Sequence, residues 1–177
     1  MPSGKVHDVV TFGLALPAVG GAYLATSSLY ASLICGAAFI FGGMMFGPDL
    51  DTVSRPYSRW GPIRAIWIPY RYFFPHRSRF SHGLVLGALI RVIYFLGSVT
   101  LTILIAGYIY QAYMGGKLPG IDDISQAWTL VGGVLRSYFG ENVLILIFAG
   151  LWAGAASHTI TDLAGSFINT GRAGKFF

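Results

Sequence analysis

Residues 143–164 read VLILIFAGLWAGAASHTITDLA. The stretch is apolar and close to the roughly 20 residues that a helix needs to cross a bilayer. It nevertheless carries His158 and Asp162 near its end. Ionisable groups are costly inside a membrane and usually mark function there. Spaced four apart, these two side chains share one helical face, and two groups so placed can bind one metal ion. Gly150 and Gly154 continue the same stripe. Small residues at that spacing let membrane helices approach closely.

Three further apolar segments precede it, at about 9–25, 29–46 and 84–110. The polar Thr26-Ser27-Ser28 triplet between the first two implies a tight antiparallel helix hairpin. Of 177 residues, 54% are hydrophobic and 11% charged, a balance too greasy for an ordinary soluble domain. The expectation is an all-α chain: one membrane domain over residues 1–177, built as an integral membrane four-helix bundle. Lys5 and the apolar run after it imitate a signal peptide, but Pro17 and an immediate second span favour a retained helix. The lone Cys35 excludes an internal disulfide and reads as a small core residue.

The net charge of +5 is concentrated in one place. Six arginines fall within residues 55–79, interleaved with Trp60, Trp67, Tyr70, Tyr72, Phe73 and Phe74. Beside membrane spans, such mixtures mark the headgroup layer, so this reads as a basic-aromatic inner loop contacting membrane lipid, and no nucleic acid is expected. The loop at 115–140 carries only Lys117 and Arg136 against Asp122 and Asp123. Lysine and arginine favour the cytoplasmic side. That rule puts both termini and the arginine loop inside, in an inner membrane of plasma or thylakoid type. In the outer loop, Ile121, Ile124, Trp128, Val131, Leu135 and Tyr138 form one helical face, a short outer-surface amphipathic helix that lies on the membrane or caps the bundle.

On that topology the chemistry-bearing residues converge. His7 and Asp8 open the first helix, and Asp49 and Asp51 follow the second. His76 and His82 precede the third, while His158 and Asp162 approach the end of the fourth. All four clusters fall at one membrane face. Four histidines and four aspartates suit divalent metal, two ions being expected, with zinc favoured and manganese, iron or magnesium as alternatives. Some of the acids, Asp8 or Asp49, can serve by orienting a ligand histidine. Arg77 adjoins His76 and would meet an anion over the metals with a guanidinium fork. Arg91, well inside the third segment, should face the bundle in a structural pairing.

The motifs GKVHD, GPDLDT, HRSRFSHG and SHTITD resemble those of uncharacterised metal-binding membrane proteins common in cyanobacteria, over nearly the whole chain. More distantly, PDLD, HRSRFSH and HTITD are similar to the LexA-regulated inner-membrane metal-dependent hydrolases. That resemblance implies ligand roles for Asp49, Asp51, His76, His82, His158 and Asp162, with His7 matching an early histidine. Phe80 and Ser81 depart from the pattern.

The leading expectation is a metal-dependent hydrolase that cleaves a phosphoester or similar bond in a lipid or lipid-linked substrate at the cytoplasmic headgroup level. The alternative is a non-catalytic metal-binding subunit of a larger membrane complex or homo-oligomer. A haem or chlorophyll protein fits less well, because the histidines lie among carboxylates rather than apolar neighbours.

Overall fold

A computed structural model gives the fold; it describes residues 3–74, 80 and 83–170. The described residues form an all-α structure of seven α-helices: α1 (Gly4–Thr26), α2 (Leu29–Met45), α3 (Arg55–Arg59), α4 (Ile68–Phe73), α5 (Leu86–Met114), α6 (Ile121–Phe139) and α7 (Val143–Thr170). Two 3-10 segments, Pro48–Asp51 and Gly61–Trp67, lie between α2 and α4, the second running directly into α4.

The α1–α2 hairpin closes through its polar triplet. Ser27 adopts a left-handed conformation (φ 54°) and donates its N–H to the Tyr23 carbonyl. Ser28 caps α2 by accepting from the Ala31 N–H at 3.3 Å, satisfying a donor that the first helical turn leaves open. The buried face of α2 comprises Ala31, Ser32, Cys35, Gly36, Phe39, Gly42 and Gly43. This face packs against α1 on one side and α7 on the other. Close approach depends on glycine at the α2–α7 crossing. A Cβ on Gly42 would strike the Leu151 backbone, and one on Gly154 would strike the backbone of Phe39 and Gly43.

The expected four-helix bundle is not what forms. Three helical stretches, Gly4–Thr26, Leu86–Met114 and Val143–Ile168, are long and apolar enough to cross a membrane. The fourth candidate, α2, has 17 residues. At 1.5 Å per residue it reaches about 25 Å, short of a bilayer core of about 30 Å. It serves instead as the filling between α1 and α7. Of α5, only Gly87, Ala88, Arg91 and Val92 are buried, all in its first two turns. The tight unit is therefore α1–α2–α7, joined by one end of α5.

The amphipathic helix also departs from expectation. α6 is a full 19 residues, and it runs back along α5, with Trp128 Nε1 donating to Thr100 Oγ1 at 3.2 Å. A helix lying flat on the outer surface could not reach Thr100, which sits midway along α5.

The basic-aromatic stretch differs most. Trp60, Trp67 and Tyr70 are buried, forming a core with Phe46, Leu50, Tyr57, Ala88, Val92 and Ala155. Their rings pack at 5–6 Å, as in Trp60–Trp67 at 5.4 Å and Trp67–Tyr70 at 5.6 Å, a spacing typical of favourable aromatic pairs. Tyr72 and Phe73 alone of the quoted aromatics are strongly exposed. α3, the second 3-10 segment and α4 thus fold into a cap over the end of α2. The cap also satisfies the helix terminus. Arg59 donates to the Met44 carbonyl (3.0 Å) and Trp60 Nε1 to the Met45 carbonyl (3.2 Å), both among the last carbonyls of α2 that lack partners within the helix.

Candidate metal centre

Three of the sequence-predicted groups meet beneath this cap. His7 lies in the first turns of α1, and His158 and Asp162 lie one turn apart on α7. All three are buried. His7 Nε2 is 3.2 Å from Asp162 Oδ1. The His7 and His158 rings stack with centroids 3.8 Å apart and planes 15° from parallel. His158 Nδ1 lies 3.4 Å from the Gly43 carbonyl, a contact that orients the ring in the way outer partners orient metal-bound imidazoles. Gly47 backs the same ring, since a Cβ there would sit 3.0 Å from its atoms.

One donor atom from each of the three residues lies within 4.8 Å of the others, so this buried His-His-Asp cluster is capable of coordinating a metal ion. Among the described residues it is the one such group found. Two observations fit the group to a cation. His7 Nδ1 and Asp162 Oδ2 are buried and find no hydrogen-bond partner, although buried polar atoms are nearly always satisfied. The two imidazoles, moreover, stack face to face beside the Asp162 carboxylate, and two nitrogen donors with one carboxylate are a set that suits a divalent ion. Neutral imidazole with carboxylate is the state in which these groups bind metal.

The cluster opens on a cleft of about 190 Å³ lined by Gly4, His7, Asp49, Ser54, Arg55, Pro56, His158 and Asp162. Asp49 therefore shares the cleft with the cluster. Its carbonyl accepts hydrogen bonds from the Thr52 and Ser54 hydroxyls (3.1 and 2.7 Å), which pins the 3-10 turn to the start of α3.

The other predicted residues are placed elsewhere. Asp8 points away from His7 and binds arginine: Arg59 Nη2 donates to both carboxylate oxygens at 2.7 Å. Asp51 is buried, and its backbone carbonyl accepts from Arg71 Nε at 3.3 Å. Arg91 is fully buried beside the Tyr70 phenol and within the electrostatic reach of Asp51 and Asp49, the inward-facing role its position suggested. Burial raises the Tyr70 phenol above its ordinary pKa, while the Arg91 charge pulls it down. His76, Arg77 and His82 lie outside the described residues.

Sequence reasoning missed Arg55 and Ser54 on the cleft wall, the Gly43 carbonyl behind His158, and the Arg59–Asp8 pair. Arg55 and Arg59 stood in a run of arginines that reads as headgroup contact throughout. Nothing in their spacing singles out a partner some fifty residues away.

The family model described as "Uncharacterized metal-binding protein (DUF2227)" matches residues 2–171, nearly the whole chain. An "Uncharacterized protein" of Aquifex aeolicus (strain VF5) is 33% identical over 60 residues, covering 33% of this chain and 42% of that protein. The matched region thus spans less than half of this relative's length. No solved structure matches the chain.

Proposed function

We propose a function from one premise: this chain belongs to the family of uncharacterized metal-binding proteins, DUF2227. In our reading it is a membrane protein that holds a divalent metal on His7, His158 and Asp162. It uses that metal to hydrolyse a phosphoester or similar bond in a lipid or lipid-linked substrate at the cytoplasmic headgroup level. The observation that carries this reading is a set of three protein donors opening on a cleft. Catalytic zinc sites keep three protein ligands and one open position, whereas structural sites close with four. A divalent ion bound here would lower the pKa of a bound water and polarise a phosphoryl oxygen. Zinc is our first choice, since two imidazoles and a carboxylate suit it. A second ion would draw on Asp49, with Asp51, His76 and His82 as further donors.

The residues of the chain have their own tasks. Asp162, beside His7 Nε2, holds that imidazole in orientation. The Gly43 carbonyl does the same for His158. Pro56 of α3 and the His158 ring both stand against Gly47, which brings the start of the cap beside the cluster. Membrane placement is supported by the three long apolar helices and by large apolar side chains turned outward along them, among them Leu16, Leu24, Ile103 and Ile109. We place the cleft, with the start of α1 and the His158–Asp162 turn of α7 that meet there, on the cytoplasmic side, α2 carrying the chain back along α1, from the arginine-rich stretch at the end of the molecule where the cluster sits.

A second reading is a structural clasp. It is favoured by one fact: the donors tie the first turns of α1 to α7, across α2. Elemental analysis of protein purified in mild detergent, followed by phosphodiesterase assay of loaded and stripped samples, separates the two. Metal at one or more equivalents, with turnover lost on chelation and helical content retained, supports the hydrolase. Metal whose removal only melts the fold supports the clasp. Absence of metal after loading sinks both.

A further inference from the structure

We infer that the cavity between α5 and α6 holds one acyl chain of a phospholipid, and that Asp123 at its rim takes the primary ammonium of that lipid's head. The inference draws on the membrane placement above and is independent of the metal.

The site begins two turns beyond Val92, the last buried residue of α5. A cavity of about 220 Å³ lies there between α5 and α6. The hydrogen bond from Trp128 to Thr100 stands at one end of it. Pro119 stands at the other, where a Cβ on Gly107 would lie 3.6 Å from its ring. Thr100 and Gly107 are about 10 Å apart along the axis of α5 at 1.5 Å per residue. Ile103, Leu104, Ile124 and Val131 form the walls. Ile103 and Val131 are exposed although large and apolar, so the chain itself leaves the space uncovered.

Inside the cavity the polar groups are already satisfied. Thr100 Oγ1 accepts from Trp128 Nε1 and donates to the Leu96 carbonyl at 2.8 Å. An apolar occupant is the matching one, since a polar group placed here would give up its water without a partner. A helix of a second copy, about 10 Å across, is too wide to enter. A single hydrocarbon chain lying along α5 has the right shape.

Asp123 is the exception, an exposed carboxylate on the cavity wall. One of its oxygens accepts the Gly120 N–H at 2.7 Å. Its charge forms no ion pair among the described residues. Lys117, in the loop before α6, and Asp122, beside it in the first turn, are both exposed and neither lines the cavity. A charged acceptor of this kind is answered by a donor. A primary ammonium supplies N–H groups and forms a charge-assisted hydrogen bond, which a quaternary ammonium cannot do. The molecule of a bilayer that joins an apolar chain to a primary ammonium is an ethanolamine-type phospholipid.

The test uses the full chain in neutral detergent micelles. Phosphatidylethanolamine with brominated acyl chains is titrated in, then the phosphatidylcholine and phosphatidylglycerol equivalents. Bromine quenches the fluorescence of a tryptophan it touches, and Trp128→Phe supplies the background of the other tryptophans. Quenching of Trp128 should need about tenfold less phosphatidylethanolamine than phosphatidylcholine, the scale of one hydrogen bond to a charged group. Asp123→Asn keeps an oxygen for the Gly120 N–H, and should raise the phosphatidylethanolamine requirement to that of phosphatidylcholine. Asp122→Asn should keep the wild-type preference. Ala127→Phe, which puts a ring into the cavity, should abolish the preference with helical content unchanged. Equal quenching by the three lipids overturns the inference, and so does a preference for phosphatidylglycerol. Equal losses in Asp122→Asn and Asp123→Asn also overturn it, because the charge of the helix start would then set the preference. Trp128 shielded from every lipid in a chain that sediments as a dimer overturns it in favour of a second copy on this face. A chain that stays dispersed and monomeric without detergent overturns it together with the membrane placement.

Discussion

The imidazoles of His7 and His158 lie face to face, ring centroids 3.8 Å apart, although they enter from opposite ends of the chain. Asp162 closes the third side at 3.2 Å from His7. A cluster of this kind should lose its metal when any one member is removed. His158→Ala, His7→Ala and Asp162→Asn are each expected to lower zinc affinity at least tenfold, measured by competition with a chromophoric chelator. Asp8→Asn, whose parent carboxylate faces Arg59 rather than the cluster, should retain wild-type affinity.

The α2–α7 crossing depends on bare backbone. Gly154→Ala drives a methyl into the Phe39 carbonyl and the Gly43 N–H, atoms that cannot rotate away. The expected loss is at the upper end of the overpacking range, about 3 kcal/mol, read as a lowered melting temperature in detergent. Gly20 has open space around its Cβ position. Gly20→Ala should instead gain about 0.5–1 kcal/mol through helix propensity.

Trp67 distinguishes a core from a membrane anchor. It is completely buried and packs on Trp60, Tyr70, Tyr94 and Phe95. Trp67→Ala should cost about 3–5 kcal/mol, seen in chemical denaturation, and should not alter partition into vesicles. An interfacial tryptophan would behave the opposite way.

Arg59 joins three elements through Asp8 on α1 and the Met44 carbonyl on α2. Arg59→Ala leaves a part-buried carboxylate and a helix-terminal carbonyl without this partner. A loss of about 1–2 kcal/mol is expected, and thermal unfolding of the single variants and of Arg59→Ala with Asp8→Ala measures the coupling. Additive losses in that cycle would show that the pair contributes nothing of its own.

Much of the helix order was legible, because apolar length and glycine spacing are local properties of the chain. The face shared by His158 and Asp162 was legible for the same reason, and so was the end of α2 before Pro48. Three things were not. A hydropathy window registers α2 and α7 alike, yet α2 is about one turn shorter than a bilayer core requires, and its greasy surface is spent on its neighbours. Tryptophan beside arginine has the same appearance whether the ring meets lipid headgroups or a protein core, so Trp60, Trp67 and Tyr70 were assigned the wrong surroundings. His7 and Asp8 look like one cluster in sequence, but adjacent residues on a helix diverge by about 100°. One turns to α7 and the other to the arginines of α3.

The stacked pair of imidazoles has a consequence for the order of synthesis. His7 emerges from the ribosome about 150 residues before His158. Bringing two such distant points together costs roughly 4 kcal/mol of chain freedom by the logarithmic loop rule. A truncated chain that ends before α7 carries His7 but none of its companions. Metal uptake in this architecture thus reports that translation has passed α7 and that α7 has docked. An ion bound there certifies that α1 and α7 have docked, and a cell that withheld the ion would accumulate chains whose first and last described helices had met without being fastened.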